Sequence, residues 1–286
     1  MFPHRITLGV IGLGAFGRFM IRHAAPYCDV LGYDVNTPSP ETLRRDRAEA
    51  VELAPLDTVA GADIVVFAVP LDSLEAVARQ AAPHIKPGAL VADVTSVKTR
   101  PLEMLGRLIP GHASLLGTHP LFGPQSGKDG ISGLRIALCP VRIDPARYYA
   151  VCDFLTEKLR LLVLKTTPEA HDREMAKVQA MTHFMSRALR EIGLEPSPMA
   201  TRAYEKLQEF ASIVLSDSWD LFLTIENGNP HAGPIRRRLM DELGKLEERL
   251  ASGGDDLHAA GGEAVEKVGK GLVDRAGVMD GQTAAR

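Results

Sequence analysis

The chain is poor in cysteine, carries no surplus of positive charge and has no long unbroken apolar run. Cys28, Cys139 and Cys152 are the only 3 cysteines in 286 residues. Thiols so few and so scattered form neither a disulfide framework nor a metal knuckle, and they point to a reducing cytosol. Lys and Arg number 33 against 36 Asp and Glu, a net charge of −3. That balance excludes the basic surface that a nucleic-acid partner requires. The nearest approach to a membrane or export signal runs from Ile6 to Ile21 behind His4 and Arg5. Gly9, Gly12, Gly14, Gly17 and Arg18 interrupt it, and it reads better as a strand, a turn and a helix. No other segment is apolar for long enough to cross a bilayer, so a soluble, cytoplasmic protein without a membrane partner is expected. No convincing metal site is found either: His171 and His183 fall on different faces of one helix.

What remains is an ordinary globular composition, 45% hydrophobic and 24% charged, in a chain long enough for two cores. Its first half alternates strand and helix. Ile6 to Ile11 is an apolar strand, Gly12-Leu13-Gly14-Ala15-Phe16-Gly17 follows at once, and Arg18 to Ala25 continues as a helix. A G-x-G-x-x-G means little alone, but here it has the strand before and the helix after that a dinucleotide site needs. Gly12 permits the turn, Gly14 admits a pyrophosphate and Gly17 lets helix and strand pack closely. The helix N-terminus turns its free N–H groups toward the phosphates. A second strand, Val30 to Val35, brings Asp34 to about twenty residues past the first glycine, where a ribose-binding carboxylate belongs. Such a carboxylate accepts from a 2′-hydroxyl and repels a 2′-phosphate, which favours NAD over NADP. The alternative makes Asp34 a turn residue before Asn36, Pro38 and Pro40.

Further strands are expected at Asp63–Val69, Ala89–Ala92, Ala113–Leu116, Leu134–Leu138 and Leu161–Leu164. Helices fall between them, from Ser73 to Ala82, from Pro101 to Leu108 and from Tyr148 to Lys158. Val69 and Pro70 end the third of the chain's strands and count with the glycine loop as cofactor-binding positions. The alternation predicts an α/β fold, a Rossmann-like, doubly wound, mainly parallel sheet. Ligands sit at the carboxyl edge of such a sheet. There the chain delivers Gly117-Thr118-His119-Pro120-Leu121-Phe122-Gly123-Pro124, with His119 at the carboxyl end of its strand and two prolines stiffening the loop behind it. Histidine titrates near neutrality and can take a proton from a hydroxyl, or it can simply tie down a loop. Ser96, in Asp93-Val94-Thr95-Ser96-Val97-Lys98, ends a strand of the same sheet. It can hydrogen-bond His119 and fix its tautomer, or cap the next helix. Lys98 is expected at the surface, the usual fate of a lysine.

After Pro168 the strand pattern stops, and an all-α C-terminal domain follows. One helix is expected from Pro168 to Ile192, capped by Gly193. Asp172, Ala176, Gln179 and His183 share one face of it, a polar stripe suited to the wall of a ligand pocket. His171-Asp172 otherwise reads as helix-start capping, and His183 as a hydrogen-bonded core histidine. A second helical region runs from about Met199 to Asn227, including Ile213 and Val214, and a third from about Pro234 to Leu250. So much apolar helix calls for a second copy of the chain, a homodimer through the helical domain. The divisions expected are a dinucleotide-binding domain at 1–166, a helical substrate and dimerisation domain at 167–251, and a tail at 252–286. In the tail Val265, Val268 and Leu272 hint at one weak helix, and Gly281 to Arg286 read as a disordered end.

Four motifs together resemble the prephenate/arogenate dehydrogenase family of tyrosine biosynthesis, nearest its short plant-like arogenate branch. They are Gly12 to Gly17, Asp93 to Lys98, Gly117 to Pro124 with Ser126-Gly127, and His171-Asp172 running to His183. The resemblance implies a small cyclohexadienol substrate bearing a ring hydroxyl and a ring carboxylate. It implies His119 as the base, Ser96 as its orienting partner and NAD as hydride acceptor. Gln125, Ser126, Gln179, His183 and Arg202 would contact the substrate. Gln125 stands where relatives often carry Glu. Glu205 stands where prephenate-specific relatives carry an arginine for the ring carboxylate, a role open here to Arg202 or Lys206. Prephenate and arogenate therefore both remain candidates. The rival readings are a β-hydroxyacid-type dehydrogenase, which would use a lysine of the helical domain such as Lys177, and a non-catalytic NAD-binding sensor.

Overall fold

The computed structural model describes residues 5–212 and 217–252. The expectations placed on His4, on Ile213 and Val214, and on the tail beyond Ser252 lie outside the described residues. The chain divides into two compact units, residues 1–235 and 236–286.

The first unit is built on an eight-stranded sheet of order β3-β2-β1-β4-β5-β6-β7-β8. The strands are β1 (Thr7–Ile11), β2 (Asp29–Tyr33), β3 (Val51–Leu53), β4 (Ile64–Phe67), β5 (Leu90–Asp93), β6 (Ser114–Pro120), β7 (Arg135–Arg142) and β8 (Leu162–Lys165). All neighbours pair in parallel except β6 and β7. Central strands are apolar on both faces because helices cover both. Val65, Phe67, Val91 and Leu115 point to one side, where Leu74 and Ala78 of α4 (Leu71–Ala81) and Leu105 of α5 (Thr99–Leu108) meet them. Val10, Val30 and Val66 point to the other, against Ile21 of α1 (Ala15–Ala24). Leu90, Leu116 and Leu138 continue that second face against Phe19 and Tyr148, the latter from α6 (Pro145–Asp153). The expected doubly wound α/β sheet is thus present.

Three short elements went unforeseen: β3 and the helices α2 (Pro40–Arg45) and α3 (Leu56–Ala60). Elements this short hold too few residues to display a period. A larger correction concerns β6. It does not stop at Leu116 but runs on to Pro120, so His119 belongs to the strand, paired with Ala137 of β7. Gly117 makes room for the helix above: a Cβ there would lie 2.5 Å from Leu102 Cδ1.

After β8 every described element is helical. One helical run comprises α7 (Pro168–Met175), a π-helical segment (Ala176–Ala180) and α8 (Met181–Ile192), and it ends at Gly193 with φ 79°. The positive φ is the left-handed stop that glycine supplies without strain. Then come α9 (Arg202–Ala211), α10 (Trp219–Gly228) and α11 (Ala232–Ala251). Gly228 docks α10 closely on the sheet domain, since a Cβ there would lie 2.8 Å from Leu71 Cδ2.

Candidate active site

The parallel register aligns Ile11, Phe67, Asp93 and Gly117 across β1, β4, β5 and β6. The glycine loop, Val69-Pro70, the Asp93–Lys98 turn and His119 all follow that row, so they share the carboxyl edge of the sheet.

The glycine loop fits a dinucleotide. Gly12 has φ 106°, which L side chains resist. A Cβ on Gly17 would lie 2.0 Å from the Gly12 carbonyl oxygen, so α1 can sit this close only without one. Gly14, by contrast, has nothing within 4 Å of the place a Cβ would take, which leaves open space where a ligand backbone must approach. Gly14 is also the N-cap of α1, with no side-chain cap and no acidic residue in the first turn. Ala15 and Phe16 open that helix, and its N-terminal N–H groups and dipole are left to an anion. Asp34 follows β2 and accepts from Leu13 N at 2.6 Å and from Asn36 N at 2.8 Å. It therefore ties β2 to the glycine loop, and it also faces a cleft of ≈ 240 Å³ lined by Tyr33, Thr37, Leu53 and Pro55. Val69 borders Gly12, with its Cγ1 3.0 Å from where a Cβ would stand, and Pro70 is the N-cap of α4.

The His119 side is built differently, from buried side chains. Lys98 is not at the surface as expected: its exposure is 0%. Its ammonium pairs with Asp93, lies 3.3 Å from Thr95 Oγ1 and donates to the Thr118 carbonyl at 2.7 Å. A buried ammonium needs such partners, and the side chain turns inward because Asp93 supplies the opposite charge at the end of β5. Thr118 Oγ1 also donates to the Asp93 carbonyl at 2.6 Å, so the ends of β5 and β6 are locked together directly beside His119.

His119 is 4% exposed. Its Nδ1 lies 2.8 Å from Nε2 of His171, and Nδ1 of His171 lies 2.8 Å from Oδ1 of Asp172. Asp172 does not cap its own helix; Thr167 does that. Its carboxylate instead accepts from Lys98 N at 2.7 Å and Thr99 N at 2.8 Å, capping α5, which has no cap of its own. Asn229, in the turn after α10, donates to the Asp172 carbonyl at 2.7 Å and so fastens the helical region to the same point. Burial works to raise the Asp172 carboxyl, but the hydrogen bonds from His171, Thr99 and Lys98 outweigh it and hold it below the usual range. Burial, then the His171 and Lys98 charges, push His119 well below its ordinary value.

Ser96 is half-buried and makes no side-chain hydrogen bond to a described residue; the Nδ1 contact of His119 is with His171. The other expected residues stand outside this bonded network among the described residues. Gln125 is exposed, and Ser126 closes its own loop by accepting from Gly123 N at 2.9 Å. Gln179 is half-buried in the π-helical segment. His183 lies one turn further on, with Nδ1 3.4 Å from Asp217 Oδ2, and burial lowers its pKa despite that carboxylate. Arg187, another turn along, stacks its guanidinium 4.9 Å from the rings of both Trp219 and Phe222. Arg202 is exposed at the start of α9. Among the described residues no group of His, Cys, Asp and Glu could hold a metal ion, and no helix is long and apolar enough to cross a membrane.

Known proteins resemble this chain in sequence and in fold. The model of a family described as prephenate dehydrogenase, nucleotide-binding domain, matches residues 16–157, and that of a TYRAAT1-like C-terminal domain matches 188–259. Arogenate dehydrogenase 2, chloroplastic, of Arabidopsis thaliana is 32% identical over 241 residues, 79% of this chain and 65% of that protein. Cyclohexadienyl dehydrogenase of Zymomonas mobilis is 26% identical over 273 residues, 88% of this chain and 90% of that one. The crystal structure of prephenate dehydrogenase from A. aeolicus with hydroxyphenyl propionate and NAD+ superposes with a TM-score of 0.70, covering 97% of this chain and all of that one. At 16% identity that likeness speaks for the fold. The chain spans less than two thirds of the Arabidopsis relatives it matches, 65% of one and 36% of the arogenate dehydrogenase 1 protein. With the glycine loop, the strand-end histidine and the helical half in the order that the resemblance implies, these matches support the chain as a member of the prephenate/arogenate dehydrogenase family.

Proposed function

We propose that the protein oxidatively decarboxylates prephenate, arogenate or both, with NAD as the hydride acceptor, in tyrosine biosynthesis. The observation that carries this reading is His119, a buried imidazole on the same sheet edge as a glycine loop open to a dinucleotide. Held below its ordinary pKa, His119 is neutral at pH 7 and ready to accept a proton. It takes the proton of the ring hydroxyl while the carbon that bears it gives up a hydride. NAD, when bound, supplies the acceptor for that hydride. The ring carboxylate then leaves as carbon dioxide, and its bonding pair makes the ring aromatic. His119 returns its proton to the resulting phenolate, so no net proton is released.

Gly12, Leu13, Gly14, Ala15, Phe16 and Gly17 hold the pyrophosphate, and Val69 and Pro70 border the cofactor. Asp34 selects NAD, since its carboxylate at the end of β2 would repel a 2′-phosphate. Gln125, Ser126, Gln179, His183 and Arg202 keep the roles that the resemblance implies for them; Ser96 stays a half-buried residue of the same sheet edge, while the orienting contact of His119 Nδ1 is with His171. We take residues 1–166 as the cofactor domain and 167–251 as the substrate and dimerisation domain. A homodimer is supported by α11, where Met240, Leu243, Leu246 and Leu250 stand exposed at helical spacing. A cytoplasmic setting is supported by the free state of Cys28, Cys139 and Cys152. A β-hydroxyacid chemistry is disfavoured because Lys177 is exposed.

Initial rates with prephenate and with arogenate, each with NAD and with NADP, test the reading. Reduction of NAD by either substrate is expected. Silence in all four assays would sink the function and leave a cofactor-binding fold.

A further inference from the structure

We propose that His171 is a positioning and proton-holding partner of His119: it fixes His119 with its proton on Nδ1, and it takes that proton over while His119 Nε2 carries the one removed from the substrate. The proposal rests on the reading of His119 as the base.

The tautomers follow from three constraints in series. Asp172 is ionised, with three donors on its carboxylate, so it can only accept. Nδ1 of His171 therefore carries a hydrogen. A neutral imidazole has one N–H, so Nε2 of His171 is bare and can only accept. The 2.8 Å contact then requires His119 Nδ1 to donate, and His119 Nε2 is left with its lone pair. A carboxylate on α7 thus decides which nitrogen on β6 is the base.

The charge balance points the same way. The buried ionisable groups joined in this hydrogen-bonded cluster are Asp93 on β5, Lys98 in the turn after it, His119 on β6, and His171 with Asp172 on α7. Cys139 on β7 adds no charge, because burial pushes its thiol up to about 12. Lys98 neutralises Asp93, so Asp172 is one positive charge short when both imidazoles are neutral. A single incoming proton fills that deficit. His119 is the poor place for it, because burial and Lys98 both oppose a cation there. His171, in contact with Asp172, is the better one. As Nε2 of His119 gains the hydroxyl proton, Nδ1 passes its own to Nε2 of His171, and Asp172 keeps its hydrogen bond throughout. The return of a proton to the phenolate runs the same two transfers backwards. A proton already present at low pH would occupy the pair in advance and leave His119 without a free lone pair.

Nitrogen-15 NMR of the histidine rings in the full-length chain at about pH 8 tests the tautomer without turnover. We expect His119 Nδ1 protonated and Nε2 bare in the wild type. In His171→Gln the amide oxygen can still accept from Nδ1, so the tautomer is kept while the proton-holding site is lost. In His171→Phe both are lost. Turnover should fall about 10-fold in His171→Gln, less than the loss of an acid–base group costs, and about 100-fold in His171→Phe, at the lower end of what acid–base groups contribute. The acid limb of the rate profile should move in both variants. A wild-type His119 protonated on Nε2 at that pH would overturn the proposal. So would two variants with wild-type tautomer and wild-type rate profile. Neither result touches the reaction class, which the four substrate assays decide; conversely, silence in those assays leaves the NMR result readable.

Discussion

The two halves of the site differ in what they are made of. The cofactor edge is backbone and open space: Gly12 at positive φ, Gly14 with nothing near it, and Gly17 pressed on the Gly12 carbonyl. The base edge is side chain and burial: His119, His171, Asp172, Lys98 and Asp93 are each under one tenth exposed and bonded to one another. On the proposed function, the first would bind a large polar ligand by leaving donors free. The second would do chemistry by leaving almost none free, because in a desolvated cluster each hydrogen bond decides where a proton can be. Binding and catalysis should therefore fail separately when the two halves are damaged separately.

The sharpest break is His119→Asn. Turnover is expected to fall by about 10²–10⁴, the range for a lost general base. NAD affinity, followed by fluorescence titration, should stay near that of the wild type. The asparagine amide can still donate toward His171, so the cluster keeps its bonding. Near-normal turnover would remove the base assignment, and a parallel loss of NAD binding would mean that the two halves are not separable.

Smaller effects are expected from the glycines, and they split in an informative way. Gly14→Ala adds a methyl where nothing lies within 4 Å, so the chain should fold with unchanged stability. Its NAD affinity should nevertheless drop about 10-fold, or about 1.4 kcal/mol, because the methyl takes the space of the pyrophosphate. Gly17→Ala places a Cβ 2.0 Å from a backbone oxygen and should lower thermal stability as well as affinity. Equal NAD affinity in Gly14→Ala and the wild type would show that the open space at Gly14 is not the ligand's.

The same contrast explains what could be read in advance. The glycine loop, Asp34 and the helix behind them lie within 30 residues of one another, and a local motif between strand and helix carries its own context. The alternation of apolar strands with helices likewise foretold the doubly wound sheet. The base edge is assembled from Asp93, Lys98, His119 and Asp172, and no local pattern shows that positions this far apart will touch. Lys98 looked like a surface lysine because its counter-charge, five residues back, mattered only once both faced inward. Asp172 looked like a cap for its own helix, and the helix it caps begins more than seventy residues earlier. The histidine pair was visible as two separate motifs whose meeting depends on how α7 docks on the sheet. Asn229 falls between the second and third expected helical regions, and only the fold turns its amide toward the Asp172 carbonyl.

Stability against pH gives the last and smallest test. His119 has its native pKa below the ordinary 6.5, so below that pH the unfolded chain takes up a proton that the native chain refuses. Stability is thus complete above about pH 6.5 and is lost as pH falls toward the native value, by at most about 1.4 kcal/mol per pH unit for one such group. His23 and His183 are lowered too and act in the same direction, whereas the lowered carboxyl of Asp172 matters only as pH falls below about 4, through the carboxylate range. Urea unfolding at pH 7.5 and 5.5 isolates the histidine window. His119→Asn should lose about 1 kcal/mol less than the wild type between the two, with the remaining slope due to His23 and His183. Gly14→Ala, which removes no titrating group, should keep the full wild-type slope. If His119→Asn kept it as well, His119 would be taking up its proton in the native chain as readily as in the unfolded one. The buried half of the site would then not be holding it neutral.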